Sequence, residues 1–231
     1  DFVTNLATLA EGSLNAGLKA YFEPPNETWN FQYVGTNNGQ LREQARYPSL
    51  NPVQAYCEWI GRTCSHLGES VHDVFGGDTS RSAVVCAFQA FGGINASTQR
   101  RLDAGDYVSE GGTPASDWAT HVCFANYWSA AYYNTATETT LAATYAGGGE
   151  AGDAALTTYV QSSTLAGTFS LPTLLTHGQD FYGLAVTYDK RLCFYEGGYS
   201  PDFGGGAEVT AIRSDSRLHP LMETYELQNM N

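Results

Sequence analysis

The sequence predicts an α/β protein built on a parallel sheet. Short apolar runs such as 82–89 are continuous rather than alternating, which is typical of strands buried on both faces. Segments with helical spacing of apolar residues lie between these runs. Because two neighbouring parallel strands need a long crossover connection, usually a helix, this alternation predicts right-handed βα units.

The chain begins with a predicted helix over 2–16, where Phe2, Leu6 and Leu9 recur at helical spacing. A short buried strand is expected next, over 18–22. Both segments end in polar or glycine-containing sequence, so each is expected to be a separate element.

Residues 35–51 are mostly polar and predict a loop. The clearest helix of the chain follows, because Pro52 can begin it, Gly76 can end it, and the apolar residues between them form one stripe. The apolar run 82–89 is the next strand, and glycines at 92–93 end it.

The second half continues the alternation. A strand is expected over 118–127, and a Thr-, Ala- and Gly-rich insertion with one or two short helices is expected at 134–170. The other expected elements are a short helix at 97–106, a helix over 171–190 with Ser170 as its N-cap, a strand over 191–195 and a helix over 214–227.

Composition restricts the classes of function. With 231 residues, 42% of them hydrophobic, the chain can bury one core and is expected to be a single domain over 1–231. A net charge of −13 repels nucleic acids but is compatible with a neutral polysaccharide. No apolar run is long enough to span a bilayer. Few charges with many Tyr and Gly favour an extracellular or secreted protein, with a virion as the alternative.

The five cysteines form no CxxC pair, so no zinc or redox motif is indicated. We expect them to be small buried hydrophobic residues. One disulfide is possible, and the odd count excludes complete internal pairing.

The carboxylates of Glu23, Glu27 and Glu196 come after predicted strands. In a βα barrel, catalytic groups lie at the carboxyl ends of strands. Glycoside hydrolysis needs two carboxyl groups, one to protonate the leaving oxygen and one to attack the anomeric carbon. The sequence therefore favours a carbohydrate-cleaving site.

Two segments resemble a known family. The segment LKAYFEPPNETWN at 18–30 resembles the strand-4 segment of the large clan of (β/α)8-barrel retaining glycoside hydrolases, and CFYEGG at 193–198 resembles its strand-7 segment. The wider pattern NE-x-WN, VFGGD and YEGG is similar to uncharacterised cellulase-like barrel proteins of bacteria and phages.

The resemblance implies roles for particular residues. Glu27 would be the general acid/base and Glu196 the nucleophile, Asn26 would bind the sugar 2-hydroxyl, and Tyr127 would donate a hydrogen bond to Glu196. No metal or organic cofactor is implied. The further substrate-binding candidates are Trp29, Trp128, Tyr199, Gln89 and His121.

The resemblance also implies an incomplete barrel of the TIM type, in which only strands 4 to 7 are recognisable. A missing segment or a second chain would then complete the barrel. The alternative is a non-catalytic carbohydrate-binding or virion or cell-surface structural protein on a relic glycosidase fold.

Overall fold

The structure is a computed structural model that describes residues 2–25, 34–89, 94–128, 135–161, 171–199, 211, 214–217 and 220–221. The strands are β1 (Ala20–Phe22), β2 (Ser82–Gln89), β3 (His121–Trp128) and β4 (Arg191–Tyr199). The helices are α1 (Phe2–Ser13), α2 (Val34–Arg46), α3 (Pro52–Phe75), α4 (Ala96–Asp103), α5 (Gly105–Ser109), α6 (Ala115–Trp118), α7 (Thr135–Ala146), α8 (Gly149–Gln161) and α9 (Leu171–Thr187).

The four strands form one parallel sheet in the order β1-β2-β3-β4. Ala20 pairs with Ser82 between β1 and β2, and Val85 pairs with His121 between β2 and β3. The prediction of an α/β fold with a parallel sheet is therefore confirmed. The sheet of described strands is open, because β1 and β4 do not pair with each other.

Helix α3 is the longest described helix, and its ends follow the sequence signals. Asn51 and Gln54 form a capping box, Pro52 occupies the first turn, and Gly76 ends the helix in the left-handed conformation. The apolar stripe is buried except at Val53, which is 54% exposed, and Ile60 is 1% exposed. Burial of a side chain of this size contributes about 2 kcal/mol to stability.

Helix α2 lies where a loop was predicted, so that prediction was wrong. Its sequence is polar, but it packs on α3 through one glycine and one ion pair rather than through an apolar stripe. A Cβ atom at Gly39 would overlap the Trp59 ring, and buried Glu43 accepts hydrogen bonds from Arg62 at 2.6 and 2.9 Å. Patterns of hydrophobic residues do not detect a helix that is held in this way.

Several element boundaries differ from the predictions. Strand β4 continues to Tyr199 instead of ending at 195, so the backbone of Glu196 lies within the strand. Residues 214–217 are not themselves helical, but the Asp215 carboxylate accepts a hydrogen bond from the backbone N–H of Arg217, as an N-cap does, and the backbone N–H of Leu221 donates to the Arg217 carbonyl. Residues 220–221 are helical, and the rest of the helix predicted over 214–227 lies outside the described residues. The two short helices expected in 134–170 are α7 and α8.

The chain divides into two compact units. One comprises Asp1–Gln89, Gly93–Ala125 and Asp180–Tyr195, and the other comprises Ala90–Gly92, Asn126–Gln179 and Glu196–Asn231. In the second unit, α7 packs against α8, and Arg217 bridges the carboxylates of Asp153 and Asp215. None of the described helices has both the length and the apolarity that crossing a membrane requires.

Candidate functional site

The predicted acid/base and its neighbours follow the first strand. Strand β1 ends at Phe22, and Asn26, Glu27 and Trp29 lie outside the described residues. Their assignment therefore stays a prediction from the sequence.

The other candidates from the family resemblance belong to the remaining strands. Gln89, Trp128 and Tyr199 are the last residues of β2, β3 and β4, and Tyr127 immediately precedes Trp128. Glu196 comes three residues before the end of β4. Gln89 belongs to the first compact unit, whereas these residues of β3 and β4 belong to the second.

His121 occupies a different position from the other substrate-binding candidates. It is the first residue of β3, and it pairs with Val85, whereas Gln89 closes β2. The structure therefore places His121 at the amino edge of the sheet and does not bring it together with Gln89.

A cavity of about 440 Å³ lies at this amino edge. This open cavity is lined by the second half of α3, by α6 and by residues at or next to the beginnings of the four strands. Its volume is within the usual range for small-molecule sites. Sequence analysis did not predict this cavity, because its lining comes from five separate stretches of the chain.

The cavity collects positive charge in a strongly acidic protein. Lys19, Lys190 and Arg191 line it, and the first two are the only lysines of the chain. The acidic lining residues are Asp117 and Asp189, which are exposed. None of the three cations forms an ion pair with an acidic side chain in the described part of the protein.

His121 is buried in this positively charged surrounding. Its ring is 6% exposed, Nδ1 lies 2.8 Å from the Thr120 hydroxyl, and the ring contacts Tyr21 edge-on at 5.5 Å between centroids. Burial, followed by the positive charges of Lys19 and Arg191, lowers the pKa of His121 below its usual 6.5. The imidazole is therefore held in its neutral form near pH 7.

Trp118 gives the cavity an aromatic wall. Its ring lies 5.1 Å from the His72 ring between centroids, and the lack of a side chain at Gly68 lets α6 approach α3 at this point. The indole Nε1–H of Trp118 is buried, and no described group accepts its hydrogen bond. A buried donor without a partner costs about 1–3 kcal/mol, so this group stands out.

A disulfide joins β3 to β4. Cys123 and Cys193 are bonded, with their Cα atoms 4.6 Å apart. The sequence left one disulfide possible, and this is that bond. Each is the third residue of its strand, so adjacent parallel strands that begin level with each other bring the two side chains together.

The other three cysteines are buried and free, as expected. Burial raises the pKa of the Cys57 thiol, and the neighbouring Cys86 thiol, followed by burial, raises the pKa of Cys64. These thiols are therefore poor nucleophiles. The described residues contain no group of three or more His, Cys, Asp or Glu side chains that could hold a metal ion.

Comparisons with known proteins give no assignment. No protein-family model matches the chain, and neither a curated protein nor a solved structure matches it. The function must therefore be argued from the residues.

Proposed function

We propose that this chain is a retaining glycoside hydrolase that cleaves a neutral polysaccharide or oligosaccharide, with Glu27 as general acid/base and Glu196 as nucleophile. The observation that supports the proposal most is the strand order. Four parallel strands are neighbours in the same order as in the sequence, as in a (β/α) barrel, whereas doubly wound sheets reverse their order at a switch point.

The proposed reaction has two steps. Glu27 donates a proton to the glycosidic oxygen while the Glu196 carboxylate attacks the anomeric carbon, which gives a covalent glycosyl-enzyme and releases the leaving alcohol. Glu27, now a carboxylate, then takes a proton from water as the water oxygen bonds to the anomeric carbon, and the bond from that carbon to Glu196 breaks, which restores the Glu196 carboxylate. Asn26 binds the sugar 2-hydroxyl, and Tyr127 donates a hydrogen bond that keeps Glu196 ionised.

The distribution of charge along the chain supports a protonated Glu27 and an ionised Glu196. The segments that follow the four strands, residues 23–33, 90–95, 129–137 and 200–206, contain neither lysine nor arginine. A nearby cation would stabilise the carboxylate form of Glu27 and lower its pKa. Without one, and with the negative Glu196 nearby, Glu27 keeps the proton that it must donate.

Aromatic residues in the segment after β1 and at the ends of β3 and β4 suit a sugar substrate. Trp29, Trp128 and Tyr199 offer flat apolar rings on which a pyranose face can stack, and Gln89 offers an amide for hydroxyl groups. A neutral substrate is favoured because the acidic chain repels polyanions. An extracellular or secreted location agrees with this substrate and with the Cys123–Cys193 disulfide.

The open sheet favours a further segment or a second chain as partner. Its two outer strands carry exposed aromatic residues, Tyr21 on β1 and Phe194 on β4, each 62% exposed. Exposed edge strands readily pair with additional strands. Strands added on these two sides would extend the sheet toward a barrel.

The experiment that tests the proposal is azide rescue with an activated aryl glycoside. In Glu196→Gly, azide replaces the missing nucleophile in one step, so the glycosyl azide has inverted configuration. In Glu27→Ala, the glycosyl-enzyme still forms with a good leaving group, and azide attacks it to give the retained configuration. Without azide, both variants should lose about 10²–10⁴-fold in rate.

Glu69→Gln is the matched control, because Glu69 is an exposed residue of α3. Its rate should equal that of the wild type. If wild type and Glu196→Gly hydrolyse the glycoside equally, the proposal is wrong. The alternative function, a non-catalytic carbohydrate-binding or virion-surface protein, is favoured by the open sheet of the described strands. It predicts oligosaccharide binding without hydrolysis by the wild type.

A further inference from the structure

The amino-edge cavity has no part in the proposed hydrolysis, which uses the carboxyl edge of the sheet. In barrels the amino edge serves stability rather than catalysis. Of the three cations that line the cavity, Arg191 is exposed and Lys19 and Lys190 are half-buried. Two features of the cavity suggest a ligand.

The first is unbalanced positive charge around a buried histidine. Lys19 and Arg191 both act electrostatically on His121, so the three side chains lie close to one another, and Lys190 lines the same space. Asp117 and Asp189 line it as well but are not within ion-pairing distance of these cations. Repulsion among like charges costs energy that a bound anion would recover.

The second is the indole N–H of Trp118, a residue that lines the same cavity; this N–H is buried, and no described group accepts its hydrogen bond. An indole can donate a hydrogen bond but cannot accept one. Its missing partner must therefore be an acceptor, and an oxyanion is the strongest acceptor that cations would also attract.

A cation directly precedes three of the four strands. Because the strands are parallel, these cations come to lie at the same edge of the sheet. Lys19, Arg81 and Lys190 come directly before β1, β2 and β4. Arg81 is already used, because it donates to the backbone oxygens of Glu11 and Leu14 at 3.4 and 3.2 Å. Lys19 and Lys190 have no such contact with described groups and remain available for a ligand.

We propose that the cavity binds the oxyanion group of a small molecule, a phosphate or a carboxylate, through Lys19, Lys190, Arg191 and the indole N–H of Trp118. The cations neutralise the anion, and the indole fixes one of its oxygens. The ring of His72 against Trp118 forms an aromatic wall for the remainder of the molecule. The volume of about 440 Å³ accommodates a small metabolite.

The test is titration of the full chain with two probes, inorganic phosphate and acetate, at constant ionic strength adjusted with sodium chloride. The indole N–H resonance of Trp118, assigned by its loss in Trp118→Phe, should shift and saturate with at least one probe. Saturation with phosphate alone assigns a phosphate ligand, and saturation with acetate alone assigns a carboxylate ligand. Each of these results supports the proposal, and no saturable shift with either probe overturns it.

Three variants show whether binding occurs in the cavity. Lys190→Met and Lys19→Met should each weaken probe binding about tenfold or more, since a hydrogen bond to a charged group is lost. Arg42→Met removes the same charge from an exposed residue of α2 outside the cavity and should bind like the wild type. Equal affinity in all three variants would mean general charge attraction and would overturn the proposal. Hydrolysis by Lys190→Met should be unchanged, so this inference and the proposed function can fail separately.

Discussion

The segments before the four strands and the segments after them differ in charge. Lys19, Arg81 and Lys190 stand directly before strands, and Arg191 begins β4. The segments after the strands contain no lysine or arginine and carry the two proposed catalytic glutamates in or near them. In a chain of net charge −13, this separation of cations from the proposed catalytic glutamates agrees with two proposed sites, one for hydrolysis and one for anion binding.

Because of this difference, one parallel sheet can carry a protonated carboxylic acid at one edge and an anion-binding site at the other. A carboxylic acid that must keep its proton needs an environment without cations. A site that holds an anion needs several cations, and they must not be neutralised by neighbouring carboxylates. Opposite ends of the strands meet both requirements because each strand separates its two ends by about 3.3 Å per residue.

The largest expected effect concerns hydrolysis. Glu196→Gln should lower the rate on an aryl glycoside about 10²–10⁴-fold, because it removes the nucleophile, while it leaves phosphate binding intact. Lys190→Met should weaken phosphate binding and leave the hydrolysis rate unchanged. Steady-state kinetics and the Trp118 indole titration measure the two properties. If either variant impairs both, the two edges are not independent.

The next effect concerns stability and compares a paired cation with an unpaired one. Arg100 donates to buried Glu58 at 2.8 Å, and the same carboxylate accepts from the backbone N–H of Tyr107 at 2.9 Å. Arg100→Met should destabilise the fold by about 3–5 kcal/mol, since it leaves a buried carboxylate without its cation. Lys190→Met should change the free energy of unfolding by less than about 0.5 kcal/mol.

Urea unfolding of both variants checks this comparison. A large loss of stability in Lys190→Met would show that this cation stabilises the fold. It would contradict the assignment of the amino edge to ligand binding.

Removal of the disulfide should lower the free energy of unfolding by a similar or smaller amount. Cys123 and Cys193 close a loop with a sequence separation of 70 residues. The double variant Cys123→Ala/Cys193→Ala should lose about 4 kcal/mol of stability on the chain-entropy estimate. Reduction with dithiothreitol should lower the melting temperature of the wild type but not that of the double variant. Equal responses to dithiothreitol would contradict the assigned bond.

The smallest expected effect is the pH response of His121. Because the native state lowers its pKa, the unfolded state binds more protons near the usual pKa of 6.5. His121 therefore contributes stability above pH 6.5, and this contribution is lost as the pH falls through the native pKa.

Lys19→Met should raise the pKa of His121, because it removes one of the charges that lower it. NMR titration of the imidazole measures this, with Arg42→Met as the control that should not change it. Other groups at the cavity, namely His72, Asp117, Asp189, Lys190 and Arg191, keep their places in both variants. A pKa of His121 that is unchanged in Lys19→Met would contradict the described charge cluster.

The sequence predicted those parts of the fold whose burial is apolar. Strand β2 and helix α3 were recognisable because most of their buried positions are hydrophobic and lie in a continuous run or in one helical stripe. Helix α2 was missed because Glu43 and Gly39, rather than apolar side chains, hold it against α3. The proposed catalytic pair also comes from the sequence alone, through a motif.

Only the tertiary structure decided which distant residues meet. The disulfide depends on β3 and β4 being neighbours that begin level with each other, which the spacing of Cys123 and Cys193 does not reveal. The cavity depends on the same sheet, because Lys19, Trp118 and Lys190 are far apart in sequence and meet only where parallel strands begin side by side. Local patterns record the burial of each segment, whereas strand order and register are set by packing between segments, and that packing assembles the amino-edge site.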